Sequence, residues 1–265
     1  MTKRDVLLSA YDAQLRLRVP PDQPTGIRYD LQGSVLRISG RYRGFVETTR
    51  DVGVTGAALD ALIREHRDFF AARGEAVEWK TRGHDLPADL PDRLRAAGFV
   101  PEDRETVIVG ETVRLNAEPV LPAGVTIREV DTRPDFERIA SLQSQVWGED
   151  HAWLAGELES SVRGSPGEVL VFVAEAGGEV VSSCRLEFNP GTDFAGLWGG
   201  STLAAWRGRG IYRALVAHRA RIAHECRVRY LQVDASAESG PILLRLGFQA
   251  VTTTTPYVWT PRAPG

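Results

Sequence analysis

The clearest pattern of hydrophobic and polar positions lies in the second half of the chain. Residues 169–176 and 179–188 are two runs of strand length. The two glycines between them, Gly177 and Gly178, predict a tight hairpin turn. The other elements predicted in this half are helices at 134–147, 152–163, 208–228 and 241–246, and strands at 125–130, 195–203, 229–234 and in two segments that end near Trp259.

The first half mixes helical and strand periodicity in shorter segments. Its predicted helices lie at 5–16, 55–74 and 89–97, and its predicted strands at 26–32, 34–39, 44–49, 76–80 and up to 107–109. Residues 116–124 are rich in Pro and Gly and lack any periodicity, which indicates a linker. The sequence therefore predicts two domains, at 1–115 and 125–265.

A short internal repeat supports this division. Residues 93–99, Arg-Leu-Arg-Ala-Ala-Gly-Phe, are similar to residues 243–248, Leu-Leu-Arg-Leu-Gly-Phe. Each copy follows a predicted strand and lies at the end of a short predicted helix. Two copies of one mixed α and β domain would explain both the repeat and the length of 265 residues.

Composition excludes several classes of protein. Hydrophobic residues make up 43% and charged residues 25%, as in ordinary globular domains, and the mean hydropathy is -0.20. No apolar run is long enough for a membrane span or for the core of a signal peptide, so we expect a cytoplasmic protein. The net charge of -3 argues against nucleic acid as a partner. With two cysteines and no ligand spacing, no metal site is expected.

The charges are unevenly distributed. Residues 129–168 contain nine acidic residues and three arginines, whereas residues 207–229 contain seven arginines and one acidic residue. One region therefore favours a cationic ligand and the other an anionic one. Solvated faces of amphipathic helices would give the same pattern.

The arginine-rich region begins with an informative loop, Trp206-Arg-Gly-Arg-Gly-Ile-Tyr-Arg-Ala-Leu215, between a predicted strand and a predicted helix. Its two glycines permit a tight turn, and the first amides of a helix lack partners within the helix. Together with the helix dipole and the nearby arginines, these amides suit a pyrophosphate. A plain helix cap is the alternative interpretation.

This loop resembles motif A of the GNAT acyltransferase superfamily, Gln/Arg-x-x-Gly-x-Gly/Ala. Arg207 and Gly210 match the first two fixed positions, and Tyr212 departs from the third. The order of predicted elements over 125–259 also resembles this family. The resemblance implies an α/β (α+β) fold of two GNAT-like domains, each a mixed, mostly antiparallel sheet flanked by helices. The first would be a degenerate copy without the cofactor loop.

The resemblance also implies acetyl-CoA as cosubstrate, with its pantetheine arm placed along the strand before the loop as an added strand would be. Ser236 stands where the family usually has an Asn that contacts the cofactor, and Ser239 lies near it; either serine could instead be a helix cap. The cofactor-binding residues implied in this way are Gly200, Ser201, Thr202, Leu203, Arg207, Gly208, Arg209, Gly210, Ile211, Tyr212, Arg213, Ser236 and Ser239.

The general acid that the family commonly uses is absent, because Leu243 occupies its position. Tyr257 or Tyr212 could replace it, or solvent could protonate the leaving thiolate. Glu149 and Glu187 are candidate bases, with Asp234 as a further carboxylate. The candidate substrate-binding residues are Trp147, Asp150 and Trp198. A core tyrosine or tryptophan and a solvated acid are the structural alternatives for these residues.

The resemblance implies N-acetyl transfer from acetyl-CoA to a primary amine, directly in a ternary complex. The acidic segment favours a small amine or a basic peptide as the acceptor. One alternative is a non-catalytic acyl-CoA-binding protein with a regulatory or scaffold role, and another is recruitment of a protein partner by the first half. The sequence leaves the oligomeric state open, including a homodimer.

Overall fold

The computed structural model describes residues 1–21, 23, 26–40 and 43–261. The chain forms two compact units. The first contains Met1–Ile108, Asp234–Gly240 and the segment from Ala250 onward, and the second contains Val109–Val233 and Pro241–Gln249. This grouping differs from the predicted division at residues 109–115, at Asp234–Gly240 and in the last strand, and the predicted domains and the linker at 116–124 remain predictions. Residues 262–265, the end of the predicted second domain, lie outside the described residues.

The first unit is a sheet with helices on it. Its strands neighbour one another in the order β1-β2-β3-β4-β12, with the short β5 also on β12; β3 and β4 are parallel and the other pairs are antiparallel. Its elements are α1 (Lys3–Leu15), β1 (Arg28–Gln32), β2 (Val35–Ser39), β3 (Gly44–Thr48), α2 (Gly56–Ala71), β4 (Val77–Arg82), α3 (Leu90–Ala96), β5 (Val100–Pro101), the start of β6 (Glu105–Glu111) and β12 (Gln249–Trp259).

Helix α2 forms the core of this unit on one face of the sheet. Its apolar positions recur at helical spacing and include Leu59, Ile63 and Phe70, all fully buried against Val46 and Trp79 of the sheet. Burial of these side chains contributes about 1.5–3 kcal/mol for each. The apolar core therefore lies on the α2 side of the sheet. On β4 the alternate residues Glu78, Lys80 and Arg82 lie on the opposite face and are charged.

The second unit has the strand order β7-β8-β9-β10-β11, antiparallel except for the parallel pair β10–β11. Helices α5 and α6 cover one face, where Phe136, Ile139 and Leu158 pack on Val171 and Val173. Its elements are α4 (Thr112–Leu115), β7 (Val125–Val130), α5 (Arg133–Trp147), α6 (Trp153–Gly164), β8 (Val169–Ala176), β9 (Glu179–Phe188), β10 (Phe194–Thr202), α7 (Ile211–Glu225), β11 (Tyr230–Ala235), which ends among first-unit residues, and α8 (Gly240–Arg245).

The observed elements confirm the predicted fold class, a mixed α/β chain with mostly antiparallel pairing flanked by helices. Strands β7, β8 and β9 have the predicted bounds. The predicted start of the long helix at Gly208 was wrong, because α7 begins at Ile211 after two glycines with positive φ. The two predicted final strands are one strand, β12, and α4 was missed because it has only four residues.

The sequence repeat corresponds to a repeated helix end. Phe99 N–H donates to Leu94 O at 3.0 Å, and Phe248 N–H donates to Leu243 O at 3.2 Å. The preceding Gly98 and Gly247 both have positive φ, 91° and 102°. This is the Schellman arrangement, in which a left-handed glycine lets the chain leave the helix. The repeat therefore has a structural cause in each unit.

Candidate functional site

Strands β10 and β11 separate soon after they meet. Their parallel pairing covers Phe194–Gly196 on β10, and the register of β10 against β9 then shifts between Trp198 and Ser201. Gly199 in this bulge has φ 60°, a left-handed value that favours glycine. The bulge bends β10 and leaves the glycine backbone without side-chain cover of its own.

The bulge is fixed by the last turn of α5. Gln143 Nε2 donates to Gly199 O at 3.2 Å, and Trp147 Nε1 lies 2.9 Å from Gln143 Oε1 and 3.3 Å from Ser201 Oγ. On the other side, Ser182 Oγ donates to Ser201 O at 2.7 Å. Helix α5 and strand β9 thus hold the shape of the strand from both sides.

The loop after β10 turns sharply into α7. Gly208 and Gly210 have φ values of 75° and 91°, and Gly210 is the N-cap of α7. The residues of the first turn, Ile211 and Arg213 among them, place amides that an α-helix leaves without intrahelical partners at this end. Such an end, with its positive dipole, can bind a phosphate group.

Three arginines surround this helix end. Arg207 is exposed, and its Nε donates to Thr202 O at 3.1 Å, which holds the loop against the end of β10. The Arg209 guanidinium lies 4.7 Å from the ring centre of Trp206. Arg213 is exposed on the first turn of α7. The predicted cofactor-binding residues at 200–203 and 207–213 therefore run from the end of β10 through the loop into the first turn of α7, with positive charge around the amides of that turn.

Tyr212, the departure from the motif, turns toward β10. A Cβ placed on Gly200 would lie 3.2 Å from Tyr212 Cε2, so the tyrosine ring packs on the glycine backbone. The ring thus covers Gly200 on the strand, and the missing side chain at Gly200 makes room for it.

The predicted acids have structural roles of their own. Asp150 Oδ1 accepts a hydrogen bond from Ala152 N at 2.9 Å, at the start of α6. Glu149 is exposed in the same connection. Glu187 on β9 forms a 3.0 Å ion pair with Arg185 and lies opposite Gly196 of β10. All three lie in the second unit, and only Glu187 is adjacent to the paired part of β10.

The predicted tryptophans differ in exposure. Trp147 is 57% exposed although its indole nitrogen is hydrogen-bonded, so most of its ring faces solvent. Trp198 is half-buried and folds back over Gly196, where a Cβ would meet its indole nitrogen at 2.2 Å. Trp147 is therefore the more available surface for an acceptor.

The remaining predicted residues lie elsewhere. Ser236 Oγ accepts from Ser239 N at 3.3 Å, an interaction typical of a helix start. Leu243 is fully buried. Tyr257 is 3% exposed, pairs with Trp79 across β12 and β4, and belongs to the apolar core of the first unit. These contacts are those of a core tyrosine, and its role as an acid stays a prediction.

Sequence reasoning missed a group of charged side chains on β4. Lys80 forms an ion pair with Asp234, and Arg82 forms one with Glu47 while its Nε donates to Tyr11 Oη at 3.2 Å. Burial is the largest single influence on Lys80 and opposes its charge, but the attractions of Asp234, Tyr11 and Glu47 together outweigh it and raise the pKa of the ammonium. One signal was present in the sequence: Lys80 is one of only two lysines among 32 basic residues.

Two further properties concern the described part of the chain only. None of its helices combines the length and the apolar character that crossing a membrane requires. Within the same residues, no group of three or more His, Cys, Asp or Glu side chains is placed to hold a metal ion.

Comparison with known proteins gives a family match over part of the chain. Residues 131–248 match the family model described as Acetyltransferase (GNAT) family. No curated protein matches the chain in sequence.

Solved structures resemble the whole chain. A GCN5-related N-acetyltransferase from Kribbella flavida is 17% identical, with a TM-score of 0.69 over 100% of this chain and 97% of the other. A functionally unknown conserved protein from Staphylococcus epidermidis is 15% identical, with a TM-score of 0.66 over 90% and 96%. A tandem GNAT protein from the clavulanic acid biosynthesis pathway is 14% identical, with a TM-score of 0.62 over 99% and 95%. At such identities the likeness concerns the fold alone.

Residues 131–248 are therefore similar to the acetyltransferase (GNAT) family. The fold of the chain's first half is consistent with a degenerate second copy in a tandem arrangement.

Proposed function

We propose that this protein is a cytoplasmic N-acetyltransferase that moves an acetyl group from acetyl-CoA to a primary amine. The observation that carries the proposal is the strand β10, which leaves β11 after Gly196 and leads into a glycine-arginine loop that begins α7. The family match over 131–248 supports the same activity.

In this proposal the loop binds the pyrophosphate of acetyl-CoA. The amides of the first turn of α7 donate to its oxygens, and Arg207, Arg209 and Arg213 supply positive charge. The pantetheine arm lies along β10 near the bulge at Gly199 and Gly200, as an added strand. The acetyl group supplied by acetyl-CoA is then held where an amine can attack it directly.

The acceptor reaches the thioester as a free amine. Glu187, opposite Gly196, and Glu149 remain the proposed proton acceptors in the second unit. Trp147, Asp150 and Trp198 remain the proposed contacts for the acceptor. Tyr257 remains the proposed acid, although its core contacts weaken the proposal for that residue.

The first experiment measures acetyl-CoA binding by calorimetry with wild type and Gly210→Asp. The substitution puts a carboxylate at a helix end proposed to bind phosphate, and at a backbone φ of 91°. We expect at least a hundredfold weaker binding, about 2.7 kcal/mol. The matched control is Gly177→Asp, which adds the same charge at φ 58° in the β8–β9 turn and should bind normally.

Binding alone does not establish transfer. Thiol release from acetyl-CoA in the presence of ethanolamine, putrescine, tyramine or a lysine-containing peptide tests the reaction itself. Acetylated amine as product supports the proposal, whereas binding without turnover on any amine contradicts it. Equal affinity of wild type and Gly210→Asp would refute the assignment of the loop.

A non-catalytic acyl-CoA-binding role is the second candidate. The observation that favours it is the fully buried Leu243 at the position of the usual acid, in the helix end that matches Leu94 of the first unit. A leucine there can pack but cannot donate a proton. Binding without turnover is the outcome that this candidate predicts.

A further inference from the structure

Arg219 is a buried arginine in the middle of α7, in the second unit. Only 2% of its surface is exposed, and within the described residues no carboxylate forms an ion pair with it. A guanidinium that is taken out of water without a carboxylate costs stability, and an apolar side chain of similar size would pack there at lower cost. The place of this arginine is therefore explained by its hydrogen bonds and not by packing.

The guanidinium of Arg219 connects α7 with β9. Its Nε donates to Leu215 O of its own helix at 3.1 Å, and its Nη1 donates to Arg185 O of β9 at 2.8 Å. Both acceptors are main-chain oxygens, one on the helix and one on the strand. Because the donors of a planar guanidinium point in fixed directions, the two bonds together set the distance between the helix and the strand.

Arg185 is the residue of β9 at which the bulge of β10 begins. It pairs with Trp198, the last paired residue of β10 before the register shifts. A Cβ placed on Gly199 in the bulge would lie 3.8 Å from Arg185 Cγ, so the Arg185 side chain lies beside the bulge as well. Arg219 therefore holds β9 at the point where β10 leaves regular pairing.

Helices α5 and α7 lie on opposite faces of this sheet. Val171 and Val173 pack with α5 and α6. Phe172, between them on β8, contacts His218 of α7 with 5.0 Å between the ring centres. The last turn of α5 holds the bulge from one face, as described above, and Arg219 supplies an attachment on the other face.

Arg219 lies too far along α7 to contact a pyrophosphate at the first turn. Ile211 begins the helix, and Arg219 follows about 12 Å further along the helix axis. The hydrogen bonds of Arg219 therefore act on the position of the helix against the strands, and not on an anion at the end of the helix.

We propose that Arg219 is a positioning residue for acetyl-CoA, which fixes the distance between the arginine-rich loop at the start of α7 and the bulge of β10. The inference rests on the proposed binding of acetyl-CoA, with the pyrophosphate at the loop and the pantetheine arm at the bulge. A ligand that contacts two places binds tightly only when their separation matches its own length. A shift of α7 against β9 would leave each place intact but would change their separation.

The test compares wild type, Arg219→Met and Arg219→Lys by calorimetry with acetyl-CoA and with ADP. ADP carries a pyrophosphate but no pantetheine arm, so its affinity reports on the loop alone. We expect Arg219→Met to bind acetyl-CoA about tenfold more weakly and ADP as well as wild type does. Arg219→Lys keeps the charge but lacks the planar set of donors, and it should show the same difference between the two ligands.

Arg221→Met is the matched control, because it removes an arginine of the same helix that is paired with Glu118. It should bind both ligands as wild type does. Equal acetyl-CoA affinity in wild type and Arg219→Met overturns the proposal. Loss of acetyl-CoA and ADP affinity by the same factor also overturns it, because the loop itself would then be disturbed. Full recovery in Arg219→Lys would show that charge alone suffices, which contradicts the positioning role.

A second readout needs no ligand. Amide hydrogen exchange, followed by mass spectrometry, should be faster in Arg219→Met over residues 183–187 and 196–201 and unchanged in β7. Unchanged exchange over 183–187 and 196–201 overturns the proposal. If wild type binds no acetyl-CoA, the proposed function fails and the positioning role fails with it. Faster exchange in Arg219→Met would then show that the error lies in the ligand and not in the attachment of α7 to β9.

Discussion

Each unit contains a pair of parallel strands that separates after three residue pairs, β3–β4 in the first unit and β10–β11 in the second. The two units differ in the residues that follow the point of separation. In the first unit β3 and β4 pair over Gly44–Val46, and the ion pair between Glu47 and Arg82 then spans the two strands. Arg16 adds a donor to Thr48 O at 3.3 Å. In the second unit β10 instead has a bulge with glycines at 199 and 200.

The loops that follow differ in charge as well. After β3, Asp51 Oδ1 accepts a hydrogen bond from Gly53 N at 2.9 Å. A negatively charged side chain therefore occupies a backbone amide of the loop before α2. A phosphate would be repelled there. After β10, the corresponding loop carries Arg207 and Arg209 beside two glycines with positive φ. The comparison teaches that a few side chains decide whether such an architecture closes its own gap or leaves a loop that, as proposed above, binds an anion.

The largest expected effect comes from removing the ion pair between Glu47 and Arg82, which connects β3 and β4 in the first unit. Glu47→Ala leaves the Arg82 guanidinium buried without its carboxylate, with 3% of the arginine side chain exposed. Burial disfavours the charged form of Arg82, and Glu47 is the main group that offsets this and raises its pKa. We expect the free energy of unfolding to fall by about 3 kcal/mol, measured by urea denaturation.

The double variant Glu47→Leu with Arg82→Met removes both charges and serves as its control. An apolar pair of similar size should recover most of the lost stability, because the cost of Glu47→Ala is the uncompensated charge. Equal destabilisation in the single and double variants would show that the ion pair matters through packing alone.

The next effect concerns the pH dependence of stability. The pKa of Glu105 is raised by burial to about 7 in the folded state, against an ordinary value of 4.5. Between these values the folded protein holds the proton and the unfolded chain does not. The free energy of unfolding therefore falls as pH rises through this window, by about 2 kcal/mol after a discount for solvent screening.

Glu105→Gln removes this dependence and should be the more stable protein at pH 8, with little difference at pH 4. Urea unfolding midpoints of both proteins at the two pH values provide the measurement. A wild-type advantage at pH 8 would mean that the Glu105 carboxylate is stabilised when charged, contrary to its burial and to the repulsion of Asp234.

How much of the two units could be predicted from the sequence depends on how far apart along the chain the interacting residues lie. The β8–β9 hairpin and the loop before α7 follow from local glycine and periodicity patterns, which act within a few residues. The alternation in β4 was also readable, but its partners were not. Lys80 meets Asp234 across 154 residues, and only the fold brings them together.

The surroundings of Tyr257 could not be predicted from the sequence. Its place on the last strand made it a candidate replacement for the family's missing acid; in the structure the strand pairs with β4 and buries the ring beside Trp79. Strand partners are set by long-range pairing, which residue spacing does not encode. By contrast, the sequence already showed that Leu243 occupies the position of the family's usual acid. In the structure this leucine side chain is fully buried.

The third effect concerns the second unit and its arginine-rich loop after β10. Arg207→Gln changes an exposed residue whose Nε donates to Thr202 O. We expect the unfolding midpoint to stay unchanged, because exposed substitutions usually shift stability by less than about 0.5 kcal/mol. Acetyl-CoA affinity should fall about tenfold through the loss of a charge near phosphate. Arg221→Gln changes an arginine on α7 that is paired with Glu118; it is the matched control and should bind normally.

The smallest effect concerns Tyr212, the residue that departs from the family motif. Because its ring packs on Gly200, Tyr212→Ala removes a contact with β10 and leaves the glycines of the loop in place. We expect acetyl-CoA affinity to change by less than about threefold, or 0.7 kcal/mol, in calorimetry. A tenfold gain would mean that the tyrosine obstructs the loop, and a tenfold loss would mean that its ring contacts the cosubstrate. Gly200→Ala separates these cases, because its Cβ would push the ring by a few tenths of an ångström without removing it.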